Sequence, residues 1–402
     1  MKVLLLENIS GVAASQFEEA GFEVQSLNGA LEERELAEKV RGASILGVRS
    51  KTRITAAVLD AAPELVSVGA FCIGVDKIDR NASSERGIAV FNDPHSNSRS
   101  VAELAMGEII LLMRRTFEAS TQLHGGVWNK SSAGSHEVRG LTLGIVGYGK
   151  IGSQVSDLAE ALGMRVVFYD VSHVLARGNA RAVSFRELLE TADVITLHVD
   201  GKTQNQDLFG EEEILQMKDG ACLINLSRGF VVDHEALARH LKSGKLGGAA
   251  VDVFPVEPES GGAFSSPLRG LANVILTPHI GGSTEEAQQN IGQFVSARMI
   301  DYFSSGNSQL SVNMPQCHME FDPNAEPRSH RLTHMHHNVP GILRAINDIL
   351  ADRGINIERQ VLDTRGTLGY AIYDINQACD EQMLAKLRAI PQTIRVRVPG
   401  AV

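Results

Sequence analysis

The chain has 402 residues, of which 43% are hydrophobic and 21% are charged. These proportions are typical of soluble globular proteins and exclude a disordered, collagen-like or coiled-coil chain, while the length predicts two or three domains. With 38 Lys and Arg against 48 Asp and Glu, the net charge is -10, which gives no support to a nucleic-acid-binding surface. An anionic substrate would therefore require a local basic pocket.

The apolar segments are too short or too interrupted for a targeting or membrane role. The N-terminal run VLLL ends at Glu7 without a cleavage site, which predicts a cytoplasmic protein. The longest apolar stretch, residues 101–113, contains Glu103 and Glu108, so we interpret it as a buried helix. The four cysteines form no CxxC pair, which favours idle thiols over a metal or redox site.

From residue 1, short apolar runs alternate with amphipathic stretches, which is the βαβ rhythm of a parallel sheet. Strands are predicted at VLLL, SILGV, VSVGAF and IAVF. A second copy runs from Leu141 to Ile280, with predicted strands LGIVG, RVVFYD, VITLHV, ACLIN, GAAVDVF and NVILT. The sequence therefore predicts an α/β protein with two doubly wound, Rossmann-like parallel sheets.

The segment from Ser304 to Arg328 is rich in Ser, Asn and Pro and has little periodicity, so we interpret it as a linker. After it, strands and helices alternate from LTHMHH to TIRVRV in the order βαββαβ. That order predicts a small ferredoxin-like third domain.

A glycine-rich turn follows the predicted strand LGIV and opens a helix. Gly147 permits the tight turn, Gly149 lets the backbone approach a pyrophosphate, and Gly152 allows close packing of the helix. Asp170 follows Gly152 by 18 residues, at the end of the next strand. A carboxylate there binds the ribose hydroxyls of NAD and repels the additional phosphate of NADP. The alternative is a glycine-rich turn that binds no ligand. The preceding strand, the following helix and Asp170 together favour an NAD site.

Three further strands of this half end in loops with polar side chains, which are Arg228 in SRG, Glu257 in PVEP and His279 in PHIGG. Because ligands bind at the carboxyl ends of parallel strands, we expect the three to converge on one substrate. Arg228 can bind a carboxylate with two parallel hydrogen bonds, and Glu257 would favour a protonated His279. Taken alone, Arg228 could form a surface salt bridge, and His279 could be a core histidine with its hydrogen bonds made inside the protein. Only the combination indicates acid-base catalysis on a hydroxy acid.

These four motifs together resemble the NAD-dependent D-2-hydroxyacid dehydrogenases. The segments FCIGVDKID, FNDPHSNSRSVAEL and GVWNK and the C-terminal extension resemble the branch of that family that oxidises 3-phospho-D-glycerate, over essentially the whole chain. The resemblance implies a discontinuous substrate domain at 1–98 and 283–315 and an NAD-binding domain at 99–282. It further implies a linker at 316–327 and an ACT regulatory domain at 328–402.

The resemblance also implies the site residues, with Arg228 for the substrate carboxylate, Glu257 as partner and His279 as acid-base. Several relatives have a proline where this chain has Asp200, so the role of that loop is open. The implied cofactor contacts are Gly147, Gly149, Lys150, Ile151, Gly152, Asp170, Leu226, Ser227, Arg228, Asp252, His279, Ile280, Gly281 and Gly282. The implied substrate contacts are Arg49, Ser50 and Asn97.

The cluster Arg49, Lys51 and Arg53 would ordinarily be a solvated turn. A phosphate pocket in so acidic a chain nevertheless requires such a cluster, and we expect Arg49 to be the member that holds the phosphate. Lys130 and Arg139 are weaker candidates for the same task.

The C-terminal domain resembles the ACT regulatory domain, whose turn is HHNVPG in this chain. The resemblance implies that serine binds between paired domains at His336, Asn338 and Asn356. The histidines of LTHMHH would be an alternative metal site, but no Cys or carboxylate accompanies them, so no metal is predicted. A purely structural dimerisation domain is the other alternative.

The sequence therefore predicts an enzyme that oxidises 3-phospho-D-glycerate to 3-phosphohydroxypyruvate with NAD, at the first step of serine biosynthesis and under inhibition by serine. Paired ACT domains and paired cofactor domains would together give a homotetramer. Two alternatives remain, a dehydrogenase of another small D-2-hydroxy acid and an NAD-sensing, corepressor-like binding protein. Neither a nucleic-acid partner nor a membrane partner is predicted.

Overall fold

The computed structural model describes residues 1–258, 262–320 and 330–400. The chain separates into two compact units. The first unit consists of Met1–Pro94 together with Gln288–Val402, and the second unit is the continuous stretch His95–Ala287.

The N-terminal part of the first unit is a five-stranded parallel sheet in the order β2-β1-β3-β4-β5. Its elements are β1 (Lys2–Leu5), α1 (Gly11–Glu19), β2 (Glu23–Ser26), α2 (Glu33–Lys39), β3 (Ala43–Val48), α3 (Ala56–Asp60), β4 (Ser67–Ala70), α4 (Arg80–Glu85) and β5 (Ala89–Asn92). Strands β1, β3, β4 and β5 lie at the four predicted apolar runs. The additional strand β2 lies at the sheet edge and buries none of its residues, so no apolar run marks it.

The second unit contains a seven-stranded parallel sheet in the order β12-β11-β10-β9-β6-β7-β8. Its elements are α5 (Ser98–Met113), α6 (Thr116–His124), β6 (Thr142–Val146), α7 (Lys150–Ala161), β7 (Arg165–Tyr169), β8 (Arg181–Ala182), α8 (Phe185–Thr191), β9 (Val194–Leu197), α9 (Glu211–Gln216), β10 (Ala221–Asn225), α10 (His234–Ser243), β11 (Leu246–Val251) and β12 (Val274–Leu276). All six predicted strands of this half are present. The strand order reverses between β6 and β9, and ligands of doubly wound sheets bind outside the carboxyl ends at such a point.

Helix α5 confirms the prediction of a buried helix. Val101, Ala105 and Ile109 are buried in one core with strand β6. Glu108 lies among them with 2% of its surface exposed, and burial, aided by the charge of Asp252, raises its pKa to about 8. The helix therefore carries Glu108 as a neutral acid at neutral pH, which is compatible with its apolar surroundings. None of the helices in the described ranges is long and apolar enough to cross a membrane.

Helix α11 (Glu285–Ser305) leads into the second segment of the first unit, and residues 306–320 form neither helix nor strand. This segment is packed, since Ser308, Met314 and Cys317 are fully buried. The Asn313 amide accepts a hydrogen bond from the Val90 amide and donates one to a neighbouring carbonyl, so its polar atoms are satisfied. Residues 321–327 of the predicted linker lie outside the described residues.

The C-terminal part of the first unit is a four-stranded antiparallel sheet in the order β14-β15-β13-β16. Its elements are β13 (His330–His337), α12 (Ile342–Ala351), β14 (Ile357–Arg365), β15 (Leu368–Ile375), α13 (Glu381–Arg388) and β16 (Thr393–Arg397). The predicted βαββαβ order is confirmed. Arg331 and Asp374, both fully buried, form an ion pair of 2.7 Å, and Arg331 also donates to the carbonyls of Ser305 and Met319. These bonds fix β13 to the packed segment.

Candidate active site

Two of the three glycines in the turn after β6 are required for steric reasons, and the third leaves room beside the backbone. Gly147 has a φ of 91°, and a Cβ added there would lie 2.4 Å from the His198 carbonyl oxygen. A Cβ at Gly152 would lie 2.2 Å from the Gly147 carbonyl oxygen, so only glycine lets α7 approach the turn. A Cβ at Gly149 would meet no atom within 4 Å, which leaves that backbone accessible to a ligand. The turn therefore fits a dinucleotide pyrophosphate.

Asp170 lies directly after β7 and is bound to the glycine turn. Its carboxylate accepts hydrogen bonds of 2.8 Å from the amides of Tyr148 and Ser172. Lys150 and Ile151 lie in the first turn of α7, and free amides at a helix N-terminus can bind an anion. Turn, helix and carboxylate are thus one hydrogen-bonded assembly at the sheet edge.

The loop that carries Arg228 is organised by Asn225, the last residue of β10. The fully buried Asn225 accepts hydrogen bonds from the Ser227 amide (3.0 Å) and hydroxyl (2.8 Å) and donates one to the Arg228 carbonyl (3.0 Å). Leu226 is buried in the same loop. A Cβ at Gly229 would lie 2.0 Å from the carbonyl carbon of Phe254, so this loop lies directly against the loop after β11. Arg228 is held at that junction.

Asp252 holds the loop that carries His279. The Asp252 side chain is almost fully buried and accepts hydrogen bonds from the Thr277 hydroxyl (2.6 Å) and from the amides of Ile280 and Gly281 (2.8 Å each). Asp252 was predicted to contact the cofactor, but both of its carboxylate oxygens accept hydrogen bonds from within the protein. It fixes the position of the His279 backbone, which has a φ of 56°.

His279 and Glu257 form a hydrogen-bonded pair, with Nδ1 2.7 Å from Oε2. The hydrogen bond with Glu257 raises the pKa of His279 against the opposing effect of burial, and the charge of Arg228 lowers it slightly. Burial raises the pKa of Glu257, but the hydrogen bonds from His279 and from the Phe254 amide outweigh burial and lower it. Because Glu257 occupies Nδ1, Nε2 is the nitrogen of His279 that can exchange a proton with a substrate. The structure thus brings Arg228, Glu257 and His279 together.

Asn97 and Gly282 lie in contact at the start of α5. A Cβ at Gly282 would lie 2.2 Å from the Asn97 Nδ2 atom. The Asn97 Oδ1 atom is buried and has no hydrogen-bond partner among the described residues. Asp200 organises its own loop, because it pairs with Lys202 at 2.7 Å and accepts a hydrogen bond from Asn205.

Arg49 and Ser50 lie in the first unit, directly after β3. Their turn is held by Glu7, whose carboxylate accepts hydrogen bonds from the amides of Lys51 (3.0 Å) and Thr52 (2.7 Å). The Arg49 guanidinium donates a long hydrogen bond of 3.5 Å to the Glu7 carbonyl. Glu7 was not among the predicted site residues, although a carboxylate directly after the apolar run VLLL is a signal for such a role.

The three predicted effector residues do not come together within one chain. His336 pairs with Gly369 near the start of β15, and the exposed Asn338 follows in the next turn. Asn356 precedes Ile357, which pairs with Ile375 at the other end of β15. At about 3.3 Å per residue, six residues of strand separate the two ends by roughly 20 Å. A site that uses all three residues therefore requires two chains.

In the described ranges, no group of three or more His, Cys, Asp or Glu side chains is placed to hold a metal ion. Within the part of the chain that the structure describes, no carboxylate or thiol lies beside the paired His334 and His336 of β13 to complete such a group.

Two segments of the chain match known domain families. Residues 106–281 match the NAD binding domain of D-isomer specific 2-hydroxyacid dehydrogenases. Residues 332–395 match the AHAS small subunit-like ACT domain. The chain is 48% identical to D-3-phosphoglycerate dehydrogenase of Haemophilus influenzae, over 99% of this chain and 97% of that protein. The Escherichia coli enzyme of the same name is 46% identical, also over 99% and 97%.

The chain belongs to the D-3-phosphoglycerate dehydrogenase family. It is thus a D-2-hydroxyacid dehydrogenase with a C-terminal ACT domain, as the motifs predict, and its cofactor is NAD.

Solved structures support the same fold. D-2-hydroxyisocaproate dehydrogenase superposes with a TM-score of 0.71 and 27% identity, over 78% of this chain and 100% of that chain. D-lactate dehydrogenase from Aquifex aeolicus, complexed with NAD and lactic acid, gives a TM-score of 0.63 and 29% identity, over 75% of this chain and 95% of that chain. The predicted fold class is therefore confirmed, with two parallel Rossmann-like sheets and an antiparallel ACT sheet.

Proposed function

We propose that the chain oxidises 3-phospho-D-glycerate to 3-phosphohydroxypyruvate with NAD, at the first step of serine biosynthesis. The observation that carries this proposal is the His279–Glu257 pair beside Arg228, at the carboxyl edge of an NAD-binding sheet. The full-length similarity to D-3-phosphoglycerate dehydrogenases supports the substrate. An NAD-coupled absorbance assay with 3-phospho-D-glycerate tests it.

The residues divide the reaction between them. Arg228 binds the substrate carboxylate with its planar guanidinium and so orients C2 and its hydroxyl group. His279 Nε2 accepts the hydroxyl proton, and Glu257 stabilises the imidazolium that results. The glycine turn and Asp170 would hold NAD, which would supply the acceptor for the hydride from C2. We assign the substrate phosphate to Arg49 and assign supporting contacts to Ser50 and Asn97.

The pH dependence of the oxidation follows from the raised pKa of His279. His279 must be unprotonated to accept the hydroxyl proton, so kcat/KM should rise as the pH increases through that pKa and fall below it. Glu257→Gln removes the largest cause of the raised pKa, so the inflection should move to lower pH. Steady-state kinetics across pH 5 to 10 measure this, with Glu235→Gln on the exposed face of α10 as control. If the inflection of the Glu257→Gln variant stayed at the same pH, Glu257 would have no part in the proton transfer.

Cofactor choice rests on Asp170. Replacement by Ala should lower kcat/KM for NAD by about tenfold to 100-fold, because hydrogen bonds from the ribose to a charged acceptor are lost. The value for NADP should change less, since repulsion of its phosphate is relieved at the same time. Parallel assays with NAD and NADP measure the two values, and the exposed Asp157→Ala is the control. Equal efficiency of the unmodified enzyme with both cofactors would contradict the assignment.

We propose that serine inhibits the enzyme at the ACT domains, at a site made of His336 and Asn338 of one chain and Asn356 of a second. The opposite positions of these residues in the four-stranded sheet support a site shared by two chains. Serine binding would then stabilise domain pairing and bias the catalytic units toward an inactive arrangement.

The shared site gives a specific prediction. Asn338→Ala and Asn356→Ala should each relieve inhibition by millimolar serine while the uninhibited turnover stays near that of the unmodified enzyme. A hybrid pairs one Asn338→Ala chain with one Asn356→Ala chain. One of its two shared sites then contains both substitutions, and the other site contains neither. The intact site should restore part of the inhibition. Inhibition assays on the single variants and on co-expressed chains measure this, with the exposed Asn28→Ala as control. Absence of any return in hybrids would exclude a shared site.

We propose that the enzyme is a homotetramer. Two separate surfaces support self-association. The first is the apolar surface in and after α6, where four large side chains are exposed: Phe117, Leu123, Val127 and Trp128. The exposed fraction of Trp128 is 81%. The second is β14, an edge strand of 9 residues whose outer side pairs with no strand in the described part of the chain. Two different twofold contacts generate a tetramer.

We propose a cytoplasmic location, which the four free thiols of Cys72, Cys222, Cys317 and Cys379 support. Oxidation of another small D-2-hydroxy acid is the second candidate function. The structural similarity to D-lactate dehydrogenase favours it as an alternative, because in the proposed roles Arg228 and His279 would contact only the hydroxy-carboxylate end that such acids share. The ACT domain and the full-length relatives favour the phosphorylated substrate.

A further inference from the structure

Two buried histidines face each other in the ACT sheet. His334 and His336 alternate on β13, so they lie on the same face of the sheet. Their Nδ1 atoms are 3.2 Å apart, and the two residues are 0% and 1% exposed. Two nitrogens at this distance share one proton, so one ring donates and the other accepts.

Both rings are neutral at neutral pH. Burial lowers the pKa of His334 to about 4, and it also lowers the pKa of His336. Each ring therefore carries one N–H group and one unprotonated nitrogen. The hydrogen bond between the two Nδ1 atoms can run from either ring to the other. Its direction is set by the group that binds the outer nitrogen, Nε2, of one of the rings.

The outer nitrogen of His334 is bound by Thr393. The Thr393 hydroxyl donates its single proton to the Leu387 carbonyl at 2.8 Å, so it can only accept from His334 Nε2, which is 2.9 Å away. His334 therefore carries its proton on Nε2 and accepts at Nδ1. It follows that His336 carries its proton on Nδ1 and has a lone pair on Nε2.

We propose that His334 is a positioning residue that holds His336 in the Nδ1–H tautomer, so that the effector site offers an acceptor nitrogen to its ligand. This inference rests on the proposed effector site. His336 Nε2 lies beside the backbone of Gly369, where an added Cβ would be 2.3 Å from it. The hydrogen bond between His336 and His334 uses Nδ1, which leaves Nε2 for a ligand.

The tautomer selects the chemical class of ligand. An unprotonated nitrogen accepts a hydrogen bond from an ammonium or hydroxyl group and repels a carboxylate. Asn338, which is exposed and lies two residues after His336, can bind a carboxylate through its amide N–H groups. The site would therefore take a small amino acid with its ammonium or hydroxyl group toward His336, and it would reject the matching acid that lacks donors.

The tautomer can be measured directly on the full-length enzyme. Solid-state nitrogen NMR of histidine-labelled protein distinguishes a protonated from an unprotonated Nδ1, and His336→Gln identifies the signals of His336. We expect protonated Nδ1 and unprotonated Nε2 at His336 in the absence of serine. A protonated Nε2 at His336 would overturn the proposal whether or not any variant folds.

Two variants test the role of His334. His334→Gln keeps a carbonyl acceptor for His336 and an N–H donor for Thr393, so serine inhibition should stay within about threefold of the unmodified enzyme. His334→Leu removes both groups, so the tautomer of His336 is released and the serine concentration for half inhibition should rise about tenfold or more. Unchanged inhibition in His334→Leu, with turnover intact, would overturn the proposal.

The outcomes separate this inference from the proposed function. If serine does not bind the unmodified enzyme while the Nδ1–H tautomer is observed, the choice of serine is wrong and the acceptor nitrogen stands. In that case alanine and 3-hydroxypropanoate, which keep the ammonium and the hydroxyl group respectively, are compared with propanoate, which has neither donor. Binding of propanoate as tight as that of the other two would contradict selection by a donor group.

Discussion

Replacement of His279 by alanine is expected to lower turnover by about 100-fold to 10,000-fold, because the proton acceptor of the reaction is removed. NAD binding should be retained, since the loop is held by Asp252 through the amides of Ile280 and Gly281 and not through the imidazole. Steady-state kinetics give the turnover, and calorimetric titration gives the NAD affinity.

The control for this variant is His318→Ala, which removes an exposed histidine of the first unit. Its turnover should equal that of the unmodified enzyme. If His279→Ala retained near-normal turnover, His279 would not be the proton acceptor, and the pH inflection would have to belong to another group.

Gly152→Ala is expected to have the largest effect on the cofactor site, because the new methyl group would lie 2.2 Å from the Gly147 carbonyl oxygen. Helix α7 must then move away from the turn that it supports. Overpacking of this kind costs about 1 to 3 kcal/mol in the free energy of unfolding, and NAD affinity should fall with it. Urea unfolding and NAD titration measure the two effects.

Gly149→Ala is the matched control within the same turn. Its methyl group would meet no atom within 4 Å, so the free energy of unfolding should change by less than about 1 kcal/mol. NAD affinity should nevertheless fall, because the methyl group stands where the backbone approaches a pyrophosphate. Equal losses of stability in the two variants would contradict the steric account of the turn.

The sheet strands were predictable wherever they are buried on both faces. The strands VLLL, LGIVG and ACLIN have continuous apolar runs because helices cover parallel sheets on both sides. Strands β2 and β8 lie at sheet edges and bury none of their residues, so hydrophobic periodicity does not mark them. The packing of residues 306–320 was also not predictable. The buried Asn313, for example, is satisfied by residues more than 200 positions away, including the Val90 amide that donates to it.

The reacting residues were predictable because strand ends of a doubly wound sheet converge, and the sequence marks them with Arg228, Glu257 and His279. The residues that hold them were not. Asn225 and Thr277 act through hydrogen bonds within and between loops, and their residue types are common at strand ends. Likewise, the separation of Asn356 from His336 follows from strand register, which the order βαββαβ leaves open.

The measurement that tests the central claim most directly compares kcat/KM for 3-phospho-D-glycerate, D-glycerate and D-lactate in the NAD-coupled assay. D-glycerate differs from the proposed substrate only in its phosphate, so the comparison isolates the contribution of phosphate binding. We predict that 3-phospho-D-glycerate exceeds both other acids by about 100-fold or more. A kcat/KM for D-glycerate or D-lactate equal to or above that for 3-phospho-D-glycerate would contradict the proposed function and favour a dehydrogenase of another small D-2-hydroxy acid.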